Sequence, residues 1–118
     1  VTDEAARPAP GVALCELTGL DDPGARGFVF SLDGLSFAGF VVRRGDVVAG
    51  YVDSCPHVGA PLALTPTAYL TRAGDHIICA THGALFRPED GRCIAGPCAG
   101  RSLRPWAVEV REGWVKTA

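Results

Sequence analysis

Two short segments carry most of the groups able to do chemistry in this 118-residue chain: Cys55-Pro56-His57-Val58-Gly59-Ala60 and Cys79-Ala80-Thr81-His82-Gly83-Ala84. Each offers one thiolate and one imidazole, and each has a glycine directly or one residue after the histidine, as a tight loop with exposed backbone requires. Two such loops can enclose a metal centre. Their unequal spacings, Cys-x-His and Cys-x-x-His, bear on which one. In extended chain, residues two apart have α-carbons roughly 6.6 Å apart on one face. That span is awkward for gripping a single ion and suits two neighbouring ions, thiolate on one and imidazole on the other. A structural zinc site usually draws on Cys-x(2–4)-Cys and His-x(3–5)-His pairs, and neither loop supplies one. The same four residues could also be two buried thiols and two core histidines, or the ligands of a zinc ion; colour and acid-labile sulfide separate these readings.

Cys-x-His followed by Cys-x-x-His, with Gly and Pro flanking, resembles the Rieske family of [2Fe–2S] proteins. In that family two thiolates hold one iron and two imidazoles the other, bridged by sulfides. The resemblance implies one [2Fe–2S] cluster, with Cys55 and Cys79 on the inner iron and His57 and His82 on the outer, more exposed one. Phe40-Val41-Val42-Arg43 through Tyr51-Val52-Asp53 is similar to the strand pair leading into the family's first loop. Gly96-Pro97 followed by Leu103 is similar to the proline loop that covers the cluster from a third side. The likeness covers roughly residues 36–117.

Departures from the cytochrome bc-type branch are informative. There each cluster loop carries an extra cysteine and the two form a clamp; here those positions are Ala60 and Thr81. The same branch has a serine after the second His-Gly and a tyrosine two residues on, hydroxyls that hydrogen-bond to sulfur. Here they are Ala84 and Phe86. Fewer donors to sulfur disfavour the extra negative charge of the reduced state. The expected potential is therefore about −150 mV rather than +300 mV, as in the soluble ferredoxins of ring-hydroxylating oxygenases. The 21 residues between His57 and Cys79 exceed the spacing of many compact ferredoxins, the excess falling in Thr67 to Asp75.

The surrounding pattern is that of an all-β chain. β-favouring runs occur at Val12 to Leu17, Phe28 to Ser31, Ser36 to Arg43, Val47 to Val52, His76 to Cys79, Ala84 to Phe86, Trp106 to Val110 and Trp114 to Thr117. Turn signals such as Asp33-Gly34, Gly45-Asp46, Gly74-Asp75, Asp90-Gly91 and Glu112-Gly113 separate them, so most strands should pair antiparallel. Only Pro66 to Arg72 looks helical. With the resemblance, the expected fold is an antiparallel Rieske-type β-sandwich with a small cluster-binding subdomain of two ligand loops and a proline loop. Residues 1–11 read as a loosely held arm, 12–118 as one domain, with the cluster-binding part at about 53–100.

Composition narrows the function. A formal charge of −2 leaves no footprint for nucleic acid or anionic membrane, and no apolar run approaches the ~18 residues of a membrane span. Five cysteines, an odd number without a secreted framework's spacing, suggest metal binding in a reducing, cytoplasmic setting. The chain contains no methionine, which leads us to expect a processed or trimmed start. Histidine counting is the sharpest limit. A Rieske oxygenase also needs a mononuclear iron held by two histidines and a carboxylate, and after His57 and His82 only His76 is left. No Gly-x-Gly-x-x-Gly fingerprint marks a reductase.

The expected role is a one-electron carrier, not an enzyme, passing electrons from a reductase to a terminal oxygenase or similar enzyme and monomeric when free. The alternatives are a small subunit resembling the Rieske-like subunit of assimilatory nitrite reductase, and a structural metal domain that never cycles. Partners are expected to dock near His57 and His82 on a neutral rim of Val58, Pro61, Leu62, Ala84 and Pro97. Cys93 and Cys98 read as small apolar residues under the proline loop, or as a redox pair. Cys15 reads as a core thiol, His76 as a surface side chain, Trp106 and Trp114 as core or edge cover, and Arg43 and Arg44 as a solvated hairpin end.

Overall fold

The computed structural model describes residues 2–56 and 59–118; His57 and Val58 lie outside the described residues. Among the described residues nine strands form three antiparallel sheets of three. The first holds β1 (Ala13–Glu16), β9 (Trp114–Thr117) and β8 (Val108–Arg111), with β9 central. β2 (Gly24–Leu32), β3 (Leu35–Arg44) and β4 (Val47–Val52) make the second, in chain order, and β5 (Ile77–Ile78), β6 (Leu85–Phe86) and β7 (Cys93–Ala95) the third.

β3 explains how the sheets stack. Its residues are apolar on both parities, so both faces must be covered. Phe37 and Val41 enter a core with Val52, Trp106, Val115 and Cys15, between the first two sheets. Phe40 and Val42 enter a second core with Tyr51, Cys55, Tyr69, Ile77, Cys79 and Phe86, against the third sheet. The cluster-binding cysteines expected from sequence thus belong to a core anchored on β3, not to a detached appendage.

Hairpin chemistry follows the turn signals. Asp33-Gly34 joins Leu32 to its partner Leu35, and Glu112-Gly113 joins Arg111 to Trp114. All four turn residues have positive φ, the two-residue turn that matches strand twist. Trp106 lies in the first core, edge-on to Phe28, Phe30 and Phe37 at centroid distances of 5.4–6.4 Å, whereas Trp114, on the central strand β9, is exposed. Cys15 is a buried thiol of β1. Arg43 donates to the carbonyls of Leu17, Leu20 and Gly45, and Arg44 pairs with Glu89 at 2.6 Å, so both are engaged within the chain.

Several expectations need revision. Pro66 to Arg72 is not helical: residues 66–69 form turns, Leu70 bridges to Ile77, and Tyr69 is drawn inward by a buried carboxylate. Among the described residues the helical segments are two single 3-10 turns, Glu4–Ala6 and Leu17–Gly19. The extra residues 67–75 fold back as an excursion whose Gly74 packs on Pro23, where a Cβ would come within 2.5 Å of the proline ring. The N-terminal segment makes specific contacts: Asp3 N–H donates to Ser36 O at 2.7 Å, Ala6 is buried, and Arg7 lies over the Phe37 ring.

Candidate metal centre

Both ligand loops are closed by the same hydrogen bonds. In the first, Cys55 N–H donates to Ala60 O (2.8 Å) and Gly59 N–H to Cys55 O (2.7 Å). In the second, Cys79 N–H donates to Ala84 O (2.9 Å) and Gly83 N–H to Cys79 O (2.9 Å). Cysteine and glycine occupy equivalent places in two loops of equal length. Gly59 and Gly83 have φ of +75° and +70°, which a side chain would strain. The unequal Cys-to-His spacing is therefore a shift of the histidine by one position inside a common frame.

The frames are tied together. Ala80 N–H donates to Leu62 O at 2.7 Å, linking the loops directly. Asp53, buried where β4 runs into the first loop, accepts from Leu62 N–H and from the Tyr69 hydroxyl, each at 2.8 Å. Tyr69 in turn stacks on Phe40, with centroids 4.3 Å apart. The proline loop closes a third side. Gly96 rests on Ala84, where a Cβ would sit 2.8 Å from the Ala84 α-carbon, and Arg101 donates to Pro56 O at 3.1 Å.

Within this frame the structure brings Cys55 and Cys79 together, both buried. Burial pushes the Cys79 thiol up, the backbone N–H groups of Thr81 and His82 aimed at its sulfur oppose that, and the neighbouring Cys55 adds to the rise. Such amide donors favour the thiolate, the form that binds metal. His82 lies on the exposed tip of its loop with Thr81 and Gly83. His57 is outside the described residues, and among the described residues no three or more His, Cys, Asp or Glu side chains gather to hold one ion. The donor set fits a [2Fe–2S] group: paired thiols at the base, amides aimed at sulfur, and an imidazole at the rim.

The rim differs from expectation. Leu62 and Ala84 are fully buried, Leu62 because both its backbone groups are bonded inward and Ala84 because Gly96 lies on it. Pro61 and Pro97 are exposed as expected, and Val58 lies outside the described residues. Leu62→Glu would therefore disturb the core rather than probe docking. His76 is half-buried beside Asp75, 3.1 Å away, remote in role from the loops. No spacing signal in the sequence marks Asp53, Tyr69 or Arg101 as supports of the loops.

A family model describing the Rieske [2Fe–2S] domain matches residues 14–113. The chain belongs to this family. Solved structures place the Rieske domain more narrowly. It is similar to the ferredoxin of carbazole 1,9a-dioxygenase from Nocardioides aromaticivorans IC177, at 26% identity over 94% of this chain and 98% of that one, with a TM-score of 0.69. A complex of reduced oxygenase and oxidized ferredoxin in carbazole 1,9a-dioxygenase matches at 28% identity, 91% of each chain and a TM-score of 0.69. The Sphingomonas yanoikuyae B1 ferredoxin shares the fold at 23% identity, 90% of this chain and 95% of that one, with a TM-score of 0.65. A search of curated protein sequences finds no significant match. The likeness is to electron-carrying ferredoxins; neither the reductase-subunit reading nor the non-redox reading gains support. Among the described residues no helix is long and apolar enough to cross a membrane.

The tyrosines behind the loops set a pH limit. Tyr51 donates to Pro88 O at 2.6 Å, and its hydroxyl is pushed up to about 12 by burial and then by Asp90 and Glu89. Tyr69 is raised further by burial and Asp53. An unfolded chain ionises both near 10, so above that value the unfolded state binds fewer protons and stability falls as pH rises. The slope is roughly 1.4 kcal/mol per pH unit for each tyrosine until the folded values are reached. Tyrosinate absorbance and loss of β-sheet circular dichroism should rise together; both tyrosines ionising near 10 in a folded chain would contradict this.

Proposed function

We propose that Cys55 and Cys79 hold one iron and His57 and His82 the other, and that the chain passes single electrons from a reductase to a terminal oxygenase. The bound cluster would supply reversible one-electron chemistry at a low potential. The observation that carries this reading is the pair of matching Cys-to-Gly loops, with cysteines buried at the base and His82 at the surface.

The chain's own residues do the rest. The Thr81 and His82 amides favour thiolate at Cys79. Asp53 and Arg101 hold the first loop from two sides, and Gly96 lets the proline loop lie against the second. Ala84 and Phe86 bring no hydroxyl, which keeps donors to sulfur few and the potential low. The exposed rim of Pro61, Thr81, Gly83 and Pro97 around His82 is uncharged, with Arg101 the cation beside the first loop, so a partner can approach while stripping water from few ions. Complexes of oxygenase and ferredoxin among the structural relatives support an oxygenase as the acceptor.

Pro97→Glu tests the docking face without altering a proposed ligand. It should slow electron delivery to a carbazole-type oxygenase at least several-fold, read by stopped-flow absorbance, while the visible spectrum is unchanged. Wild-type transfer rates would place docking elsewhere. Stoichiometric iron and acid-labile sulfide in the purified protein, lost on His82→Ala, would support the ligand set; zinc without sulfide would refute it.

A further inference from the structure

Three cysteines remain after the loops are accounted for; Cys15 lies apart in β1, and the other two face each other. Cys93 opens β7, Cys98 lies in the turn after Gly96-Pro97, and their Sγ atoms are 3.1 Å apart with both residues buried. The main chain sets this approach: Cys93 N–H donates to Arg101 O at 2.8 Å, and Gly100 N–H to Cys93 O at 3.1 Å, folding the turn back over the strand. A disulfide has a sulfur separation of ~2.05 Å, so closure needs the sulfurs to move by only roughly 1 Å.

We propose that Cys93 and Cys98 are an oxidative modification site, a dithiol that closes reversibly to a disulfide inside the proline loop. The co-reactant is a low-molecular-weight disulfide. The thiolate of one cysteine attacks a sulfur of that disulfide, breaking its S–S bond and releasing one small thiol. The second cysteine's thiolate then attacks the protein sulfur of the mixed disulfide, forming the Cys93–Cys98 bond and releasing the second small thiol. Two electrons pass from the pair to the small disulfide, and the two protons end on the released thiols.

Access comes from opening of the turn. Residues 96, 97 and 99–101 are exposed, and the turn's remaining bonds are Ala99 N–H to Gly96 O and Arg101 N–H to Cys98 O. Local opening of such a segment costs much less than global unfolding. Closing the bond fastens the loop that rests on Ala84 and reaches Pro56, so oxidation would stiffen the cover of the metal centre without consuming a ligand.

The holoprotein is incubated with oxidised glutathione, alkylated with N-ethylmaleimide in denaturant and digested with trypsin. Cleavage after Arg92 and Arg101 releases both cysteines in one peptide, residues 93–101. The expected result is that this peptide becomes unalkylated and two hydrogens lighter, reversibly with dithiothreitol, while the cluster's visible absorbance is retained and Cys15 alkylates fully. Cys98→Ser should hold at most a glutathione mixed disulfide at Cys93. Full alkylation of the peptide, or a disulfide joining it to Cys55 or Cys79 as absorbance is lost, would overturn the proposal. Iron content, read separately, tests the ligand set and leaves this pair unaffected.

Discussion

Cys79→Ser is expected to abolish the cluster: iron and acid-labile sulfide should fall to background and the visible absorbance disappear, whereas Cys98→Ser should retain both. The two residues are a close comparison, since both are buried thiols of the same core. What separates them is the loop. The Cys79 sulfur faces the amides of Thr81 and His82, donors that compensate a thiolate's charge. Cys98 instead faces Cys93 in the turn of the proline loop, and burial first, then Cys93 and Cys55, push its thiol up to about 12. A serine hydroxyl at Cys79 would remain protonated where a thiolate is needed. If Cys98→Ser lost the cluster and Cys79→Ser kept it, the ligand assignment would fail.

Trp106→Ala should be the most damaging substitution away from the metal centre. The indole fills the space between the first two sheets, edge-on to three phenylalanines, and its removal leaves a cavity that rigid strands close poorly. The expected loss is about 3–5 kcal/mol, a large part of the 5–15 kcal/mol typical of a domain. Gly39 gives a sharper test of the same packing. A Cβ there would lie 2.4 Å from the indole's Cε3, so Gly39→Ala should destabilise the native protein and cost far less once Trp106 is Ala. Denaturant titration of both single variants and the double variant measures that coupling. Additive losses would mean the ring and the glycine do not constrain each other.

The strands and the ligand motif were legible because both are local patterns. Alternation of apolar residues and the two Cys/His segments sit within a few residues of chain, and turn pairs such as Asp33-Gly34 carry their own backbone preference. What escaped are the features made by contact at a distance. β7, three residues long between Gly91 and Gly96, has too little pattern to be read and exists because it pairs with β6. Leu62 and Ala84 sit beside ligand loops in sequence yet point into the core, since adjacency along a loop says nothing of which side faces solvent. Pro66 to Arg72 has helical residues, but Tyr69 gains more from Asp53 and Phe40 than a single helical turn could provide. Glycines 59 and 83 hid a regularity: counting from cysteine to glycine rather than cysteine to histidine makes the two loops equal.

A potentiometric titration of the purified holoprotein tests the central claim most directly, that a two-cysteine, two-histidine [2Fe–2S] cluster with few donors to sulfur makes this chain a one-electron carrier. The predicted result is a single one-electron transition near about −150 mV. A transition near −400 mV, as in plant-type four-cysteine clusters, a strongly positive midpoint, or no reversible transition would contradict it.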